Sequence, residues 1–166
     1  MLAIVLLVFG IFMRVVVHTP NFTPVIAIAL FSGVYLKKKH ALILPVALMA
    51  ITDLILGAHR VMLFTWGSVL LIAAIGLWLR QNKTTTHTLT SSLASAFLFF
   101  IITNFGVWLA GYYPQTLEGL QSCYVMAIPF FRTMLVSTLV YTFVFFGAYE
   151  LIARAVRNTK FASYVL

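Results

Sequence analysis

Apolar residues run along this chain in six blocks, at residues 2–17, 24–36, 41–57, 62–79, 89–111 and 126–153, with short polar connections between them. Continuous runs of this length, rich in Leu, Ile, Val and Phe, predict helices buried on every side rather than helices with one wet face. The fold class expected is an all-α membrane protein, a bundle of six transmembrane helices forming one domain over residues 1–166. The first two blocks are short for that role. A hydrocarbon core of roughly 30 Å takes about 20 helical residues, whereas residues 2–17 number sixteen and residues 24–36 thirteen. The connection between them, residues 18–23, is therefore expected below the membrane surface. Irregular backbone at that depth is tolerated only where it is buried in protein or lines a wet cavity. Thr23 before Pro24 predicts a helix start, the hydroxyl capping free N–H groups and the proline sitting where no donor is needed. Pro129 is expected in the first turn of the last helix and Pro45 in the first turns of the third.

Composition removes the soluble alternative. The 166 residues are 63% apolar and 8% charged, with a mean hydropathy of +1.07, against about a quarter charged in ordinary globular domains. The first block lacks a basic leader and a small-residue cleavage site and is expected to stay as a helix. The net charge of +8 does not form the single basic stripe of a nucleic-acid binder. It falls at alternate connections instead. Lys37, Lys38, Lys39 and His40 follow the second block, Arg80 and Lys83 the fourth, and Arg154, Arg157 and Lys160 the last, while Arg60 is alone on the other side. The positive-inside rule then places both termini in the cytoplasm, in a multi-pass protein of the cell inner (plasma) membrane, with residues 18–23 facing outward. Cys123 is the sole cysteine, so no internal disulfide can form.

Ionisable groups inside membrane spans are costly and tend to mark sites. Arg14, Asp53 and Arg132, with Asn104 and Trp108 four residues apart, come from four different blocks. Each lies within roughly 10 to 12 Å of the outer boundary at about 1.5 Å per residue. His18, Asn21 and His59 belong to the same side. Two readings fit this convergence. In one, these residues hold a small anionic or polar ligand; in the other, Arg14 pairs with Asp53, Arg132 reaches outward, Asn104 joins helices, and nothing binds. One aspartate cannot neutralise two arginines, so Glu118 or a ligand must supply the balance. Residues 112–125 make the longest connection, with Tyr112, Tyr113, Glu118 and Tyr124 as lid candidates or as an interfacial belt. Residues 84–88 read as plain linker. Glu150 and Arg154 form an i, i+4 ion pair. Ala29 with Gly33, and Ser92 with Ala96, make small-residue faces for internal packing or for docking a second membrane protein. The histidines lack metal-ligand spacing, and no nucleophile, Walker A or two-carboxylate motif is present, so neither a metal, a cofactor nor an enzyme is expected.

The stretches RVVVHTPNFTP into AIALFSG, LPVALMAITDLILGAH, FLFFIITNFGVW, and YPQTLEGLQSCY with IPFFRT resemble a group of uncharacterised six-helix bacterial membrane proteins. That group is similar to the substrate-binding S components of energy-coupling factor (ECF) transporters. The resemblance implies capture of a vitamin-like molecule or metal ion from outside, with energy from a separate scaffold subunit and two ATPases. S components often carry an A-x-x-x-A docking face on the first helix; here the nearest equivalent is Ala29 with Gly33. The function expected is a substrate-binding subunit of a small-molecule uptake transporter, and the alternative is a structural or assembly protein of the cell envelope.

Overall fold

The computed structural model describes residues 2–16, 20–159 and 162. The helices are α1 (Leu2–Val16), α2 (Val25–Tyr35), α3 (Lys38–Leu56), α4 (Met62–Gln81), α5 (Thr85–Val107) and α6 (Leu117–Val156), α5 running on through a π-helical turn at Trp108–Tyr112. Among the described residues there is no strand. Met62–Gln81, Thr85–Tyr112 and Leu117–Val156 are long and apolar enough to cross a membrane.

The bundle is built around α2. Its eleven residues span about 16 Å at about 1.5 Å per residue, and all five other helices pack on it. Residues 25–34 are accordingly all buried, which is why this sequence is apolar all round instead of striped. The closest approach is to α4: a Cβ on Gly33 would lie 2.6 Å from Gly76 Cα, and one on Gly76 would lie 2.8 Å from Gly33 Cα. Only glycine fits at either position. Ala29, Ser92 and Ala96 are also fully buried, so both small-residue faces serve packing within the chain.

The C-terminal end of α2 is tied down by polar groups. The last carbonyls of a helix lack intrahelical donors, and here Arg80, at the end of α4, supplies them. Its Nε donates to Val34 O at 2.9 Å and Gly33 O at 3.1 Å, and its Nη2 donates to Gly33 O at 2.5 Å and to Leu36 O. Beside it, Tyr35 Oη donates to Glu150 Oε1 at 2.8 Å. Lys83 pairs with the same carboxylate and stands 5.0 Å from the Tyr35 ring centre. Glu150 is thus held by α2 and by the α4–α5 connection, with the expected Arg154 acting on its charge from beyond ion-pair distance.

Several helix ends differ from expectation. The Thr-rich stretch at 84–88 is a capped helix start, with Thr84 Oγ1 accepting from His87 N at 3.0 Å, and α3 begins at Lys38. Thr116 caps α6 in the same way, its Oγ1 accepting from Gly119 N at 3.1 Å. Most of residues 112–125 is therefore helical, and Pro129 lies well inside α6. At the start of α2, Pro24 itself occupies the N-cap, and no side chain caps the helix; the expected Thr23 cap is not made.

Candidate functional site

The uncapped start of α2 opens into a cavity of about 330 Å³, at the lower end of the roughly 300–1,000 Å³ typical of small-molecule sites. The turn before α2 forms one wall through Asn21 and Thr23, continued by Val25 and Ile26. Asn21 has a φ of 59°, a left-handed conformation that asparagine tolerates better than most residues. Ser137 Oγ donates to Thr23 O at 3.1 Å and to Met134 O at 3.2 Å, fixing the turn to α6. With no side-chain cap, the first-turn N–H groups of α2 are left for another partner, at the positive end of the helix dipole.

The facing walls carry acceptors and aromatic rings. On α5, Thr103 Oγ1 donates to Phe99 O at 2.7 Å and Asn104 Nδ2 donates to Phe100 O at 2.8 Å. On α4, Thr65 Oγ1 donates to Met62 O at 2.9 Å. The two threonines thus spend their one donor on their own helices and keep acceptor capacity for the cavity, while Asn104 keeps one N–H as well as its carbonyl oxygen. Phe100 and Phe131 meet with ring centres 4.7 Å apart, and Phe99, Phe130 and Met134 complete the apolar lining.

His59, from the α3–α4 connection, is the one ionisable group lining the cavity among the described residues. Its Nδ1 is buried without a hydrogen-bond partner, while its Nε2 stands 3.7 Å from Asp53 Oδ2. Asp53 is 2% exposed and accepts from Trp66 Nε1 at 2.8 Å. The carboxylate therefore lies behind His59 and outside the cavity lining. Donors at α2, acceptors on α4 and α5, and rings between them suit a small polar solute with an anionic end and a flat or apolar body. Among the described residues no group of three His, Cys, Asp or Glu side chains could hold a metal ion.

The expected site residues separate into two sets. Asn21, His59 and Asn104 line the cavity, with Asp53 supporting from behind. Trp108 does not line it: its Nε1 donates to Pro114 O at 2.9 Å, in the connection before α6. Arg132 is exposed and forms no ion pair among the described residues. It sits one position beyond Phe131, about 100° around the helix from the face shared by Ala127, Phe131 and Met134. The lid candidates do not close over the cavity. Tyr112 and Glu118 are exposed, Tyr113 is half-buried, and Tyr124 Oη donates to Ile101 O at 2.7 Å, pinning α6 to α5. The side chain of Arg14, and His18 altogether, lie outside the described residues.

The turn at 18–23 was expected to wall a cavity, and Thr23 does so; sequence reasoning missed Thr65 and Thr103, and the role of Trp66 in holding Asp53. Threonine is common in membrane helices bonding its own backbone, so no local signal separates these from packing residues.

No curated protein and no solved structure matches the chain. A family model matches residues 1–161, and on that match, which takes in the α2 turn and every wall of the cavity, the chain belongs to the family of unknown function DUF6580.

Proposed function

We propose that this protein is a membrane-embedded binding subunit that captures a small polar solute with an anionic group from the outer face. In this reading the six helices form a transmembrane bundle with both termini and residues 37–40 in the cytoplasm. Arg80, Lys83 and Arg154 then lie at the cytoplasmic end with the C-terminus of α2, and the cavity at its N-terminus faces outward. The observation that carries the reading is the uncapped start of a buried helix opening on a cavity. Interrupted helices in transporters present such ends to anionic substrate groups within the membrane. The resemblance to ECF S components supports capture as the task. Their shared scaffold and ATPases would have to meet a surface other than Ala29 and Gly33, which are buried within this chain.

Native mass spectrometry of the detergent-released protein tests this. Wild type is expected to retain a small-molecule adduct. Ala127→Phe, which fills the cavity from the α6 wall, is expected to lose that adduct while remaining monodisperse. A wild type without adduct, or equal adduct on both proteins, overturns the reading in favour of a purely structural bundle.

A further inference from the structure

Three hydroxyls in the middle of the bundle are anomalous. Ser95, Thr138 and Thr142 are each 0% exposed, and none of their side-chain oxygens has a hydrogen-bond partner. Serine and threonine in helices can bond a carbonyl one turn back. Ser92 does so on Thr88 O at 2.7 Å and Thr88 on Thr84 O at 2.8 Å. The three orphans do not, and an unsatisfied buried hydroxyl is a destabilising feature that native structures keep for a reason.

Their position supplies the reason. A second cavity of about 320 Å³ lies at the other end of the bundle, where Lys83, Thr88, Gly147 and Glu150 are among its lining residues. On α6 the first cavity ends at Met134 and the second begins at Phe143; the buried residues between them are Ser137, Thr138, Tyr141 and Thr142. On α5 the first cavity begins at Phe99 and the second ends at Thr88; the buried residues between them are Ser91, Ser92, Ser95 and Ala96. Two helices thus put hydroxyls at nearly every buried position that separates the cavities, in a chain that is 63% apolar. Among the ten buried residues of α2 Ser32 alone carries a hydroxyl, and it donates to Ala29 O at 2.8 Å and to Ala41 O at 3.0 Å.

We infer that the α5–α6 seam is the path by which the captured solute passes from the outer cavity to the inner one. It is closed in this structure at Ser95, Thr138 and Thr142 and, at its inner end, by Lys83, Glu150 and Tyr35. The orphaned hydroxyls replace water around the solute when α5 and α6 part, a role that apolar packing residues cannot fill. The inference rests on the outer cavity being a solute site, and its test separates the two claims.

Single cysteines are placed at Ser95, Thr138 and Thr142 in a Cys123→Ala background, with Thr103→Cys in the outer cavity and Val69→Cys, equally buried but in apolar surroundings, as references. The probe is a small methanethiosulfonate carrying a sulfonate, applied to proteoliposomes of monodisperse protein. Labelling is expected at 103 first, then at 95, 138 and 142 at rates at least tenfold above position 69. Glu150→Gln, which weakens the inner closure, should raise the rate at 142 several-fold. If 103 is labelled while 95, 138 and 142 stay as silent as 69, the path is refuted and the cavity stands. Silence at 103 removes the solute site and the path together.

Discussion

The two ends of α2 receive opposite treatment. At its C-terminus, Arg80 satisfies the carbonyls of Gly33, Val34 and Leu36, and the Tyr35, Lys83 and Glu150 cluster closes in beside it. At its N-terminus no side chain caps the helix, although Thr23 is adjacent and a threonine caps both α5 and α6. A buried helix with one end satisfied and the other open is stable enough to fold while keeping a polar valence in reserve. The comparison teaches that the missing cap belongs with the cavity and is not a flaw in packing.

The C-terminal end is the one whose loss should cost most. Arg80→Gln strands the part-buried carbonyls of Gly33 and Val34, and should lower stability by about 1–2 kcal/mol, read as a lower melting temperature in detergent. Arg80→Lys should recover part of that loss, since one ammonium cannot span three acceptors as a guanidinium does. A melt unchanged by Arg80→Gln would mean that the two ends are not treated differently at all.

The neighbouring ion pair should matter less. Lys83 and Glu150 have side chains 36% and 33% exposed, so solvent screening holds their coupling to roughly 0.5–1 kcal/mol. A double-mutant cycle on Lys83→Gln and Glu150→Gln measures it. Additive losses would show that Lys83 and Glu150 do not couple, leaving Arg80 and the Tyr35–Glu150 hydrogen bond to hold the C-terminal end of α2.

Much of this was legible in the chain. The six apolar blocks place every helix, and three of the polar residues picked out at one end of them line the cavity: Asn104 from within a block, and Asn21 and His59 from the connections. Helix starts were harder, since Lys38–His40 are polar yet helical with no side-chain cap, and Thr85–Thr88 are polar yet helical under the Thr84 cap. The remaining features depend on how helices meet. Trp66 reaching Asp53 and Lys83 reaching Glu150 are set by the relative register of separate helices, which no local pattern encodes. Arg132 matches the cavity in depth but lies outside its lining, because distance along a helix predicts depth but not the face a side chain takes.

The open end of α2 can be tested by a minimal pair at Thr23, which lines the cavity and stands just before the N-cap. Thr23→Asp sets a carboxylate beside the first-turn N–H groups and occupies the place of the solute's anionic group; Thr23→Asn has the same shape without the charge. A carboxylate near a helix start is also favourable, by about 0.3–1 kcal/mol. Native mass spectrometry with a parallel thermal melt is therefore expected to show Thr23→Asp without the wild-type adduct yet melting at least as high as Thr23→Asn, which keeps it. Equal retention of the adduct by both variants, or equal loss from both, would contradict the account.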